Sequence, residues 1–211
     1  MEKSFWLEKW RKNEIGFHNS EAHPLLVKHL HRLKLEKGDR LFLPLCGKTL
    51  DIGWLLGEGY RIVGAELSEA AVIQLFEQLA MTPQIEELGE LKKYYGDGVE
   101  VFVGDIFELT ESSLGAVDGI YDRAALVALP ESMRSEYANH LIKITRAAPQ
   151  LLISFDYDQN QLPGPPFCVN DSAIRALYEA GYRVEKIDSV PVEGGLKGKV
   201  AADEVVWMLE F

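Results

Sequence analysis

Short, nearly unbroken apolar runs alternate along the chain with stretches whose apolar residues recur every three or four positions. That pattern belongs to strands buried on both faces, interleaved with amphipathic helices. The run Arg40–Cys46 predicts a first strand, followed by a helix from about Thr49 to Glu58 that ends near Gly59. Tyr60–Glu66 predicts a second strand. Ser68 is placed to cap the next helix, which carries Ala71, Val72, Leu75, Phe76 and Leu79 at helical spacing. Val99–Val103 and Gly119–Asp122 follow as strands, then a helix over about Pro130–Thr145 with proline in its first turn. Leu151–Phe155 is the fifth strand, and Asp171 is expected to cap a last helix stopping near Gly181.

The final two apolar runs, Arg183–Val190 and Glu204–Phe211, have only a Gly- and Lys-bearing loop between them. They are therefore expected to pair antiparallel. The sum is an α/β chain with a seven-stranded, mostly parallel sheet and a reversed C-terminal hairpin. A plain doubly wound nucleotide fold would end in parallel strands. Two helical segments, about Ser4–Lys12 and Pro24–Leu33, precede the first strand. They are too short for a domain, so residues 1–35 are expected to form a lid over the ligand edge of a 40–211 core.

Composition narrows the classes. A length of 211 residues suits a single domain. A net charge of −11 argues against a nucleic-acid footprint, which needs clustered Lys and Arg, and favours a cationic or neutral small molecule as partner. Cys46 and Cys168 form no CxxC pair and read as reduced thiols. The start MEKSFWLEKWRKNE has no apolar signal core, and no run of apolar residues is long enough to span a membrane, so a cytoplasmic protein is expected. His29 and His31 lie two apart and point to different faces of a helix, so no metal site is expected.

Ligands of open α/β sheets lie outside the carboxyl ends of the strands. The stretches to consider are therefore Leu43–Lys48, Glu66–Ser68, Asp105–Ile106, Asp122–Ala124 and Asp156–Phe167. Glu66 closes the second strand, where a carboxylate can accept hydrogen bonds from both hydroxyls of a ribose; the alternative is an exposed acid at a strand end. The first turn, LPLCGKT, lacks GxGxxG, and a P-loop would need glycine where Phe42 stands. A nucleoside without phosphates suits such a turn, with Gly47 permitting close approach. Asp105 could meet an adenine amino group, with Ile106 covering the ring or simply belonging to the core. Arg123 could hold an acceptor anion or pair with Asp122.

Several pieces together carry a resemblance. They are Phe5-Trp6-Leu7-Glu8-Lys9-Trp10, Gly16-Phe17-His18, Pro44-Leu45-Cys46-Gly47-Lys48, Val63-Gly64-Ala65-Glu66-Leu67-Ser68-Glu69, Asp122-Arg123-Ala124-Ala125-Leu126-Val127-Ala128 and Pro163-Gly164-Pro165-Pro166-Phe167. In that order they resemble the thiopurine S-methyltransferases, and the short N-terminus looks like the bacterial members. The resemblance implies a class I methyltransferase fold and S-adenosylmethionine as donor, leaving S-adenosylhomocysteine. It implies that Trp10, Leu45, Glu66 and Arg123 line the cofactor site, with Trp6, Phe17 and Ile106 as additions. The C-terminal loop EGGLKGK departs from the mammalian members, which carry an arginine near the substrate there; only Lys197 and Lys199 are cationic here.

The chemistry asks for alignment of donor and acceptor and exclusion of water rather than for a general base, since soft thiols and selenols react as anions. No catalytic dyad is expected. Trp6, Trp10 and Phe17 could face a sulfonium by cation–π attraction or simply pack an amphipathic helix. Phe167 could wall an aromatic acceptor or belong to a Pro-rich surface turn, with Phe17 and Arg123 as its companions at the acceptor. The expected acceptors are thiopurines, aromatic or heterocyclic thiols, and selenium or tellurium compounds, handled by a monomer. A nicotinamide-dependent oxidoreductase and a non-catalytic S-adenosylmethionine-binding module are the alternatives.

Overall fold

The computed structural model describes residues 3–12, 14 and 21–211. One sheet contains β1 (Arg40–Pro44), β2 (Arg61–Glu66), β3 (Gln84–Leu88), β4 (Leu91–Gly96), β5 (Val99–Val103), β6 (Gly119–Arg123), β7 (Gln150–Tyr157), β8 (Arg183–Pro191) and β9 (Ala202–Glu210). Their order is β3-β4-β5-β2-β1-β6-β7-β9-β8. The middle strands β5, β2, β1, β6 and β7 run parallel. β9 enters antiparallel between β7 and β8, giving the reversed ending expected from the sequence.

Every strand expected from the sequence is present, but among the described residues the sheet has nine strands rather than seven. The two extra strands, β3 and β4, form a hairpin antiparallel to β5. Gln84–Leu88 is almost wholly exposed, so it shows no alternation of apolar and polar residues. The hairpin is tied in by its ladder and by the buried Leu91 and Tyr94, with cross-strand charge added: Lys93 pairs with Glu86 at 2.7 Å and Lys92 with Glu87 at 3.8 Å. The same charges blunt the sheet's open edge.

Among the described residues seven α-helices accompany the strands: α1 (Lys3–Arg11), α2 (Pro24–His29), α3 (Asp51–Gly57), α4 (Glu69–Gln78), α5 (Glu111–Leu114), α6 (Glu131–Thr145) and α7 (Asp171–Tyr178), with α2 running into a 3-10 turn at Leu30–Leu33. Alternation along β1 divides the core into two layers. Leu41 and Leu43 pack with residues of α2, α3 and α4, while Phe42 packs with residues of α5, α6 and α7. Leu25, Leu26, Leu30 and Leu33 lie in the first of these layers. The segment 24–33 is thus core rather than cover for the ligand edge, because its four leucines demand more burial than an edge provides.

Ser68 caps α4 as expected, its Oγ accepting from the Ala71 N–H at 3.3 Å. The cap of α7 is Asn170 instead of Asp171: Asn170 Oδ1 accepts from the Ala173 N–H at 3.1 Å. A cap needs extended backbone and a side-chain oxygen over the third amide, and Asn170 supplies both. Asp171 begins the helix and pairs with Arg175 at 2.7 Å. Among the described residues no helix is long and apolar enough to cross a membrane.

Candidate active site

β5, β2, β1 and β6 end side by side, and one cavity opens across their carboxyl ends. Asp105 and Ile106 line it beyond β5, Glu66 at β2, Leu45 and Gly47 beyond β1, and Tyr121 and Arg123 at β6. Trp6 and Trp10 reach it from α1. Six expected residues therefore meet: Trp6, Trp10, Leu45, Glu66, Ile106 and Arg123. Phe17, expected beside them, lies outside the described residues, as does His18.

The turns that build the mouth are strained. Leu45 has φ 47° and Ala124 φ 61°, left-handed values that cost a residue with a Cβ about 1–2 kcal/mol. Gly47 has φ 55°, and a Cβ there would stand 2.9 Å from Cζ2 of the Trp10 ring. Trp10, 8% exposed, thus lies directly on the glycine of the first turn. Lys48 turns away to donate to Gln74 Oε1 at 2.8 Å, so the Gly-Lys-Thr run does not form a phosphate cradle.

Glu66 is buried, and its two oxygens are held apart by backbone donors. Oε2 accepts from the Gly47 N–H and Oε1 from the Ser68 N–H, each at 2.8 Å. Burial pushes its pKa up, while backbone N–H groups of Ser68, Gly47 and Leu67 pull it down. A carboxylate has about four lone-pair sites, so these two bonds leave one acceptor direction on each oxygen. The residue is fixed in place and still able to take a pair of vicinal hydroxyls, which fits a ribose.

Asp105 is already engaged. Lys3 Nζ pairs with it at 2.6 Å, linking α1 to the end of β5, and its Oδ1 accepts from the Phe107 N–H at 3.2 Å. Asp122 and Arg123 do not pair. Asp122 is fully buried on the far face, while Arg123 is half-buried at the cavity wall with no hydrogen bond or ion pair to the described residues. Phe167 does not line the cavity. Gly164 folds the loop back so that a Cβ there would sit 2.5 Å from the Phe167 ring. The ring also carries the Arg134 guanidinium, 5.6 Å from its centre. The Phe167 N–H donates to Val127 O at 2.7 Å. Lys197 bridges the C-terminal loop to this one, donating to Pro165 O at 2.7 Å. Burial and the nearby charges of Lys9 and Lys199 push the Lys197 pKa down.

Sequence reasoning missed Asp51 and Tyr121, which form a buried pair in the cavity. The Tyr121 hydroxyl donates to Asp51 Oδ2 at 3.2 Å. An acid at a helix start reads as a surface residue, and a tyrosine inside an apolar run reads as core. Nothing local to either position pointed to the other.

The family model described as thiopurine S-methyltransferase matches residues 1–210. A protein of that name from Xanthobacter autotrophicus is 52% identical over 211 residues, covering 100% of this chain and 99% of that protein. Another from Pseudomonas aeruginosa is 42% identical over 212 residues, covering 100% and 96%. Among solved structures, the 1,6-didemethyltoxoflavin-N1-methyltransferase of Burkholderia thailandensis, bound to S-adenosylhomocysteine, has a TM-score of 0.68 at 15% identity, covering 99% of this chain and 87% of that one. A methyltransferase from Anabaena variabilis has a TM-score of 0.66 at 13% identity, covering 99% and 95%. These two share the fold.

Proposed function

The chain belongs to the thiopurine S-methyltransferase family and is an S-adenosylmethionine-dependent methyltransferase; from that premise we propose that it methylates the sulfur of thiopurines and of aromatic or heterocyclic thiols, and takes selenium and tellurium compounds of the same soft anionic character. The nicotinamide oxidoreductase and the non-catalytic binding module are set aside by that membership.

The observation that carries the choice of acceptor is Arg123. It brings a guanidinium to the cavity wall with no hydrogen bond or ion pair to the described residues. Arginine cannot act as a base, but it can hold an anion in place. An acceptor that arrives already ionised matches a site offering a cation and no acid–base dyad. Thiopurines and aromatic thiols are such acceptors near neutral pH.

S-adenosylmethionine supplies a methyl group activated by its sulfonium charge. The residues do the positioning. Glu66 receives the ribose hydroxyls and Ile106 covers the adenine. Leu45 and Gly47 let the ligand lie close to the first turn. Trp10, with Trp6 beside it, closes the site to water, and its face suits a cation at about 0.5–2 kcal/mol. Among the described residues of 1–35, α1 contributes the lid, with the α/β core at 40–211. Arg123 orients the acceptor anion, and Phe17 completes the acceptor wall. The charged edge at β3 opposes edge-to-edge pairing, which supports a monomer.

A methyl-transfer screen with labelled S-adenosylmethionine tests this across thiopurines, thiophenols, selenite and tellurite, with aniline and phenol as nitrogen and oxygen controls. Transfer to the thiols is expected, and Arg123→Ala should lower kcat/KM for them tenfold or more with little loss of melting temperature. Methylation of the amine or phenol alone would overturn the reading.

A further inference from the structure

We propose that Asp51 binds the α-ammonium of the donor's methionyl tail. This rests on the cavity being the S-adenosylmethionine site, with the ribose at Glu66.

The sheet order gives the direction. Across the mouth the strand ends run β5, β2, β1, β6. A nucleoside whose ribose lies at Glu66 on β2 and whose base lies against Ile106 beyond β5 must send its 5′ substituent the other way, over β1 towards β6. Asp51 stands there: it opens α3 just after the β1 turn, and its Oδ2 accepts from Tyr121 of β6 at 3.2 Å.

Elimination points to the same residue. Among the described residues the acids lining the cavity are Asp51, Glu66 and Asp105. Asp105 is neutralised by Lys3 at 2.6 Å, and Glu66 is occupied by backbone amides and the ribose. Asp51 is 1% exposed and has no cationic partner among the described residues. Its hydrogen bonds come from neutral donors, the His23 N–H at 2.7 Å on Oδ1 and the Tyr121 hydroxyl on Oδ2. Burying a carboxylate is costly unless a charge answers it. Two of its four lone-pair directions remain, enough for an ammonium. Those two donors also fix the carboxylate, so an ammonium would meet it already oriented.

Calorimetry on the whole protein tests this with two ligands that share the nucleoside. S-adenosylhomocysteine carries the ammonium, whereas 5′-methylthioadenosine lacks the amino-acid tail. Asp51→Asn is expected to weaken S-adenosylhomocysteine about tenfold or more and to leave 5′-methylthioadenosine within twofold. Equal loss for both ligands, or loss for neither, would overturn the assignment to the ammonium. If Asp51→Asn does not fold, the unaltered protein is titrated with the deaminated analogue of S-adenosylhomocysteine, which keeps the tail and its carboxylate; binding weaker by about tenfold or more is expected, and equal affinity refutes the proposal. Failure of the unaltered protein to bind either nucleoside is a different result: it removes the cavity reading and this inference with it.

Discussion

Asp122 and Arg123 are consecutive on β6 and face opposite sides of the sheet. The Asp122 carboxylate is fully buried, accepting from the Tyr137 hydroxyl at 2.8 Å and the Leu126 N–H at 3.1 Å, while Arg123 lines the cavity. The strand pleat makes this separation unavoidable. Asp122 therefore acts on the site indirectly, by fixing the turn through Ala124 that follows Arg123.

Burial raises the Asp122 pKa to about 6 from an unfolded value of 3.8, against the hydrogen bonds of Leu126, Tyr137 and Ala125. Between those values the folded protein holds more protons than the unfolded chain. Its contribution to stability is thus fully present below pH 3.8 and is lost as pH rises through about 6. Relative to Asp122→Asn, which does not titrate, the native protein should lose stability over that window by up to about 3 kcal/mol. Tyr137→Phe, which removes a donor to the charged form, should move the upper end of the window to higher pH. Denaturant melts at several pH values check both; a difference between native and Asp122→Asn that stays flat with pH would refute the assignment.

Gly47→Ala places a methyl group 2.9 Å from the Trp10 ring at a backbone φ of 55°. Both effects fall on the cover of the cavity. S-adenosylhomocysteine affinity should drop about tenfold, consistent with roughly 1–2 kcal/mol of left-handed strain, and Trp10 fluorescence should report a more exposed ring. Unchanged affinity in a calorimetric titration would mean that α1 does not close on the ligand.

Gly64 on β2 has no room for a side chain either, since its Cβ would stand 2.8 Å from Cys46 Sγ and 3.3 Å from Val101 Cγ2. Gly64→Ala should destabilise by about 1–3 kcal/mol through overpacking. Cys46→Ala in the same chain should recover more than about 0.5 kcal/mol of that loss, because the two side chains compete for one space. Strict additivity in the four-variant cycle would show that Val101 and the backbone, rather than the thiol, set the limit.

Buried strands were legible because two-sided burial leaves continuous apolar runs, as at Arg40–Pro44 and Arg61–Glu66. The β3–β4 hairpin was not, because an exposed edge strand carries no such run. Glu66 could be placed from its strand end alone. Asp51 could not, since its partner Tyr121 is 70 residues away in sequence.

The sequence by itself determined the α/β alternation, the reversed last pair, the family and the cavity-lining residues that close strands or follow them, because strand period and turn composition are local. Only the tertiary structure decided that Arg123 faces the cavity while Asp122 faces the core, that Lys3 engages Asp105, and that Phe167 packs on Gly164 and Arg134 instead of walling the cavity. Each of these depends on which chain segments meet across the sheet ends. Pairings between distant segments are set by packing of the whole fold, and no local pattern encodes them.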